Sequence, residues 1–183
     1  MKKLMFMVLI ICFAGSSGAF AQGLYFGPQL GFFKSKDSDN TNIFVGAAVR
    51  LKSAGSFGVE GSIGYRQEKF FDETVTVKNW PIMVTGLFYP IPIVYGAMGA
   101  GWYNTTIEYD DNVPGVDLED NSETSQEFGW HFGFGAELPV GGKTKLSTDI
   151  RYVFLNYDFN AVPGSGDVNS NFYIINAGLM FRL

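Results

Sequence analysis

Cysteine, histidine and charged residues are scarce in this 183-residue sequence. The single cysteine, Cys12, lies near the N-terminus, so the rest of the chain has no disulfide framework. Only 17% of the residues are charged, against roughly 25% in typical soluble domains. The net charge of −5 argues against the basic surface of a nucleic-acid-binding protein, and no nucleic-acid partner is expected. Beyond residue 21 the sequence lacks the run of about eighteen apolar residues that a membrane-spanning helix needs.

Glycine and aromatic residues are abundant instead. The chain has 23 glycines, 18 phenylalanines and nine tyrosines, and 46% of its residues are hydrophobic. So many aromatic residues exclude a disordered chain. The same composition is unlike that of coiled coils and helix bundles, which are built from Ala, Glu, Lys and Leu. The length suits one domain.

Residues 1–21 have the features of a secretory signal peptide. Lys2 and Lys3 precede an apolar run over residues 4–15, and Ala19 and Ala21 form a small-x-small cleavage site. A transmembrane anchor fits less well, because the run is shorter than the ~20 residues that a spanning helix needs. We therefore expect a cleaved signal at 1–21 and an exported domain at 22–183.

The exported part shows period-two alternation, which indicates β-strands with two different faces. In the clearest case, one face carries Phe128, Trp130, Phe132, Phe134, Ala136 and Leu138, and the other carries Glu127, Gly129, His131, Gly133, Gly135 and Glu137. A soluble sandwich or lipocalin would bury the apolar faces, whereas an outer-membrane barrel turns them to lipid. The columns of large aromatic residues favour the outer-membrane barrel, because lipid accommodates them more easily than a small, closely packed core. Glycine on the polar face suits a narrow barrel, where large inward side chains compete for room.

The spacing predicts an all-β fold, an eight-stranded antiparallel up-and-down transmembrane β-barrel. The predicted strands are 23–34, 43–52, 57–71, 74–89, 93–109, 124–138, 143–159 and 169–183. The second, fourth and sixth connections are short, and the first, fifth and seventh are longer and polar. The third connection is the tight tip of a protruding hairpin. Membrane barrels have this alternation of short periplasmic turns and long external loops.

Two features depart from regular strands. Pro28 and Pro81 lie inside predicted strands, where each removes a backbone donor. In the fourth strand, Val75 and Val77 do not share a face with Trp80 and its apolar neighbours. A β-bulge near Asn79 would reconcile them.

Four stretches resemble the outer-membrane protein beta-barrel domain family of the small OmpA/OmpX-like type: residues 95–103, 128–138, 149–156 and 176–183. The last of these resembles the family's C-terminal signal for the barrel-assembly machinery, with Asn176, Gly178, Phe181 and Leu183 at the matching positions. The resemblance implies a monomer in the cell outer membrane, surrounded by outer-membrane lipid. It also implies that periplasmic chaperones and the assembly machinery are its partners during biogenesis.

The inward faces predict an interior polar network of Glu60, Arg66, Glu127, His131, Glu137, Lys145, Asp149 and Arg151. Glu137 and Lys145 flank a short turn and should pair. Glu60 and Arg151 are expected to communicate only through intervening residues, since the third and seventh strands are not neighbours.

His131 raises the possibility of an enzyme, because a few barrels of this size modify lipid A. In the deacylase type a serine stands two residues after the histidine, but the corresponding residue here is Gly133. An interior structural histidine is the favoured interpretation, and no catalytic residue, cofactor or metal site is predicted. The acidic connection at residues 110–123 could hold a divalent cation, but a solvated loop with an unknown ligand is favoured. The sequence thus predicts a structural or surface-interaction protein with a closed interior. The alternatives are a lipid-modifying enzyme that uses His131, and a narrow pore or small-molecule carrier.

Overall fold

Eight long antiparallel strands close into one barrel in the computed structural model, which describes residues 21–35, 42–53, 55–70, 75–109, 122–157, 168–169 and 171–183. The barrel strands are β1 (Ala21–Ser35), β2 (Asn42–Ser53), β3 (Phe57–Phe70), β4 (Val75–Ile91), β5 (Val94–Tyr109), β6 (Ser122–Gly141), β7 (Thr144–Phe154) and β10 (Phe172–Arg182). A separate two-stranded ribbon pairs β8 (Asn156–Tyr157) with β9 (Val168–Asn169). The described residues include no helix long and apolar enough to cross a membrane.

Each barrel strand pairs with its neighbour in sequence, and the first and last strands complete the ring. β1 pairs with β10, where Phe26 lies opposite Phe181, and β10 pairs with β7, where Asn176 lies opposite Asp149. No edge strand is left in the barrel, so all its strands have neighbours on both sides. The predicted eight-stranded antiparallel barrel is confirmed.

Many hydrophobic side chains are exposed on the outer surface, and charged side chains are buried in the interior. This is the reverse of a soluble protein. Phe134 is 67% exposed on the outer surface, whereas Arg151 on the next strand is 1% exposed in the interior. The outer surface carries aromatic side chains in contact across strands. Trp102 lies 5.8 Å from Phe128 between ring centroids, and Tyr152 lies 4.7 Å from Tyr173. Such an apolar exterior requires lipid around it.

Both prolines are accommodated because each interrupts the hydrogen-bonded ladder on one side only. Pro28 is in register with Ala47 of β2, but the pairing of β1 with β10 skips Pro28. Pro81 is in register with Tyr103 of β5, while the pairing of β4 with β3 skips Pro81. Each proline therefore interrupts the hydrogen bonds to one neighbouring strand locally, and the pairing with the other neighbouring strand stays continuous.

The bulge expected near Asn79 is absent, so that prediction is wrong. β4 stays in continuous register with β5 from Val75 to Phe88. Asn79 is buried in the interior, and Trp80 is exposed on the outside. Val77 shares the inward face with Asn79.

The short connections and both ends of the described chain lie at one end of the barrel, which we call the turn end. The connections there are residues 54–56, 92–93 and 142–143. The last of these turns follows Gly141 and includes Gly142, whose φ of +49° is readily adopted only by glycine. The opposite end, which we call the loop end, carries the longer connections. Most of the acidic connection predicted at 110–123 lies outside the described residues, and its last two residues, Ser122 and Glu123, begin β6.

Candidate functional site in the barrel interior

A network of buried charges crosses the barrel interior, and three strands supply its centre. Arg50 of β2 lies in register with Glu60 of β3, so their side chains enter the interior side by side. Arg151 enters from β7. All three residues are at most 1% exposed. Charges this deeply buried need close partners, because desolvation disfavours each ion strongly.

Glu60 bridges the two arginines directly. Its Oε2 accepts hydrogen bonds from Arg50, with Nε at 2.9 Å and Nη2 also in contact, and its Oε1 accepts from Nη2 of Arg151 at 2.7 Å. The expectation that Glu60 and Arg151 meet only through intervening residues is therefore wrong. Strands that are not neighbours in the sheet still face each other across a narrow interior, and long side chains span the gap.

Asp149 holds the other side of the Arg151 guanidinium. Nε of Arg151 donates to Oδ1 of Asp149 at 2.8 Å, and Nη2 donates to Oδ2 at 2.9 Å. This bidentate geometry is strong and fixes the plane of the guanidinium. The hydroxyl of Tyr95 also donates to Asp149, at 2.9 Å. Arg151 is thus held between two carboxylates.

Glu137 is the anchor of the network towards the turn end. Its Oε1 accepts from Nη1 of Arg50 and from the hydroxyl of Tyr89, both at 2.6 Å. Its Oε2 accepts from Nζ of Lys145 at 2.9 Å and of Lys52 at 3.3 Å. The structure therefore brings Glu137 and Lys145 together across the turn, and it adds three donors to the same carboxylate.

The other three sequence-predicted interior residues have different described contacts. His131 is buried, and its Nε2 lies 2.8 Å from Oγ1 of Thr85. Arg66 packs over the rings of Phe33 and Phe172, 4.1 and 4.4 Å from their centroids. Glu127 is only partly buried and accepts a hydrogen bond from Ser125 at 3.1 Å.

Thr85 links His131 to the network, since Nη1 of Arg151 also donates to the Thr85 hydroxyl at 3.3 Å. The His131 imidazole thus lies deep in the interior. It is hydrogen-bonded to the Thr85 hydroxyl, which also accepts a hydrogen bond from the buried guanidinium of Arg151. The side chains of His131 and Thr85 are at most 2% exposed.

Sequence reasoning omitted several polar residues from the network: Lys52, Thr85, Tyr89, Tyr95 and Ser147. Three of them lie on β4 and β5, where the mixed faces obscured which residues point inwards. A usable signal was the alternation of Met83, Thr85, Leu87 and Tyr89 against outward Val84, Gly86 and Phe88. Continuous register through β4 makes that alternation meaningful.

Glycine makes room for the large interior side chains. A Cβ atom added at Gly135 would lie 2.5 Å from the Tyr95 ring, and one at Gly64 would lie 2.1 Å from the Phe44 ring. Any larger residue at either position would displace an interior aromatic side chain. The glycines on the polar faces are therefore part of how the interior is packed.

Apolar side chains fill the interior towards the loop end. They form a cluster of Phe33, Met83, Tyr103, Val153, Leu155, Phe172 and Ile174. This cluster and the ion-pair network both lie in the barrel interior, which in a cylinder of eight strands is only wide enough for side chains. No group of three or more metal-ligating side chains occurs among the residues that the structure describes.

The residues of the predicted assembly signal lie on β10 beside β1. Asn176 and Gly178 face the interior, whereas Phe181 and Leu183 are exposed on the outside. The Phe181 ring lies 5.9 Å from that of Phe26, and the backbone N–H of Leu183 donates to the carbonyl of Leu24 at 2.9 Å. The two apolar positions of the signal therefore lie on the lipid-facing side of the closing seam.

Comparison with known proteins agrees with this architecture. The sequence matches the profile of the outer membrane protein beta-barrel domain over residues 5–181. No curated protein matches the sequence.

Several solved structures share the fold. Neisserial surface protein A superposes with a TM-score of 0.64 at 12% identity, covering 88% of this chain and 98% of that one. A major outer membrane protein from Thermus thermophilus also gives 0.64, at 11% identity, with coverages of 88% and 100%. Outer membrane protein W of E. coli gives 0.54 at 14% identity, with coverages of 90% and 99%. At these identities the likeness concerns the fold, and it confirms the predicted type of barrel.

Proposed function

The chain belongs to the outer membrane protein beta-barrel domain family, and from that premise we propose that it is a non-enzymatic outer-membrane protein with a structural or surface-interaction role. It is exported by the signal at residues 1–21 and spans the membrane as a monomer. Its turn end faces the periplasm and its loops face outwards, as in other membrane barrels.

The observation that supports this proposal most is the packing of charged side chains across the barrel interior. Glu60, Arg50 and Arg151 span the interior in direct contact, and the apolar cluster fills the section nearer the loop end. A pore needs a continuous aqueous path, whereas these side chains occupy the space where such a path would run. The closed interior favours a role carried out at the surfaces of the barrel.

The environment of His131 supports a non-enzymatic role. A lipid-modifying residue must reach a substrate at the outer surface or at a rim. His131 instead points into the barrel beside Thr85 and Arg151. The hydrogen bond between its Nε2 and Thr85 supports a structural role, because a buried imidazole needs such a partner.

The proposed partners during biogenesis are the periplasmic chaperones and the barrel-assembly machinery. Phe181 and Leu183 support this part, because both are exposed on the terminal strand that closes the barrel against β1. Exposed apolar side chains at such a seam are available for recognition before closure.

Cell fractionation combined with gel mobility tests the proposal. We expect the protein in the outer-membrane fraction, without residues 1–21. We also expect unboiled and boiled samples to migrate differently in SDS, since a closed barrel resists SDS until it is heated. A soluble protein of unchanged mobility would contradict both the location and the fold.

A further inference from the structure

A cup of about 820 Å³ opens at the turn end of the barrel. The charged side chains that line it are Lys52, Lys145, Arg182 and Glu137. Tyr25 and Tyr89 form part of its wall, and exposed Ile91 and Ile93 lie at its rim. Three cations and one carboxylate thus line a space large enough for a small ligand.

The two lysines of the cup are held in place. Their ammonium groups contact the same oxygen of Glu137, Lys145 at 2.9 Å and Lys52 at 3.3 Å. Lys52 also lies 3.6 Å from the centroid of the Tyr89 ring, and Lys145 lies 4.4 Å from that of Tyr25. A carboxylate and an aromatic face therefore position each ammonium before any ligand arrives.

Each ammonium keeps donor capacity for a ligand. An ammonium has three N–H donors. The contact with Glu137 uses one donor of each lysine, and Lys145 uses a second on the hydroxyl of Tyr25. Lys52 and Lys145 are 15% and 22% exposed at their side chains, whereas Glu137 is 3% exposed. An anion entering the cup therefore meets the ammonium groups before it meets the carboxylate.

The charge balance of the network also favours an anion there. Its cations are Arg50, Lys52, Lys145 and Arg151, and its carboxylates are Glu60, Glu137 and Asp149. Glu60 and Asp149 are engaged by the buried arginines, and Glu137 already accepts from Arg50 on its other oxygen. The positive surplus consequently lies at the cup, where low solvent exposure strengthens the attraction for an anion.

We propose that this cup is a binding site for a phosphate group, contacted by Lys52 and Lys145. Lysine suits phosphate because its ammonium is a compact point charge with several donors. The phosphate comes from one of two sources. It is either the headgroup of an anionic phospholipid, whose apolar part would contact Ile91 and Ile93, or a soluble phosphate compound.

Titration of the folded, mature chain with pyrophosphate tests the site. The protein is held in maltoside micelles, which contain no phosphate, at low salt, and binding is measured by calorimetry. Lys52→Met and Lys145→Met should each weaken binding by about tenfold or more, since each removes a charged hydrogen bond. Lys143→Met is the matched control, because Lys143 is an exposed lysine two residues from Lys145 that does not line the cup.

The control separates a site from general attraction. We expect Lys143→Met to bind within about twofold of the unaltered protein, because long-range attraction of exposed charges is screened. Absent binding in the unaltered protein, or equal weakening by Lys143→Met and Lys145→Met, would overturn the proposal. Gel mobility confirms that each variant is folded. Lys52→Gln and Lys145→Gln replace any methionine variant that is not, because they keep a donor for Glu137.

Nanodiscs then distinguish the two sources. If phosphatidylglycerol in the disc lowers the apparent affinity for pyrophosphate relative to a disc of equal negative charge whose anionic lipid carries a carboxylate instead of a phosphate, the headgroup is the occupant. If the affinity is unchanged, the ligand is a soluble phosphate compound. Either result counts only if Lys52→Met and Lys145→Met weaken pyrophosphate binding in micelles.

Discussion

Replacing Glu60 by glutamine is expected to destabilise the barrel by about 3–5 kcal/mol, the usual cost of breaking a buried ion pair from one side. The substitution preserves the shape of the side chain and removes only its charge. Arg50 and Arg151 would then face each other across the interior without the carboxylate that now bridges them. Arg50 keeps Glu137, and Arg151 keeps Asp149, so the barrel should still fold under mild conditions.

Glu127→Gln provides the control for the loss of one interior-facing carboxylate. Glu127 is only partly buried, and its described contact is a hydrogen bond from Ser125. We expect a change below about 1 kcal/mol, as for exposed polar groups. Urea unfolding in detergent micelles, followed by tryptophan fluorescence, measures both variants. Similar stability of the two variants would show that the bridging role of Glu60 contributes little.

Placing a charge on the lipid-facing surface is expected to be the second-largest effect. Phe134 is 67% exposed and lies midway along the outward residues of β6. Arginine at the bilayer midplane of a barrel costs about 2–4 kcal/mol. We therefore expect Phe134→Arg to lower the free energy of unfolding by that amount in lipid vesicles.

The matched control uses the same strand and the same outward face. Val140 is 56% exposed near the turn end, where arginine can reach the interface. Val140→Arg should therefore cost only about 0–1 kcal/mol. Unfolding in vesicles gives the difference directly. Equal costs at the two positions would indicate that β6 does not cross the bilayer in the orientation described.

The sequence allowed the strands and their facing to be predicted because both depend on local alternation. The column of Phe128, Trp130 and Phe132 indicated the lipid-facing side, and residues 128–138 fall within β6 as observed. Pro28 and Pro81 lie inside strands, as predicted. The prediction of a bulge near Asn79 is wrong, because β4 keeps one register with β5 from Val75 to Phe88 although its side-chain character changes.

Contacts across the interior could not be predicted in the same way. The direct meeting of Glu60 with Arg151 depends on the tilt and stagger of all the strands around the ring, which no local pattern contains. The approach of Lys52 to Glu137 has the same origin, since β2 and β6 are not neighbours in the sheet. The pairing of Glu137 with Lys145 is different, because the short turn between β6 and β7 allows it to be predicted locally. Local alternation identified the inward faces on most strands, and barrel closure determined which side chains meet.

Conductance in a planar bilayer tests the closed interior most directly. Folded monomer inserted into the bilayer should give no large, stable current steps, because the ion-pair network and the apolar cluster lie in an interior that is only wide enough for side chains. Glu60→Gln, examined under conditions where it remains folded, shows whether this closure depends on the bridging carboxylate. Porin-sized steps from the unaltered, folded monomer would contradict the account, because they require an open aqueous path through the residues described here as packed.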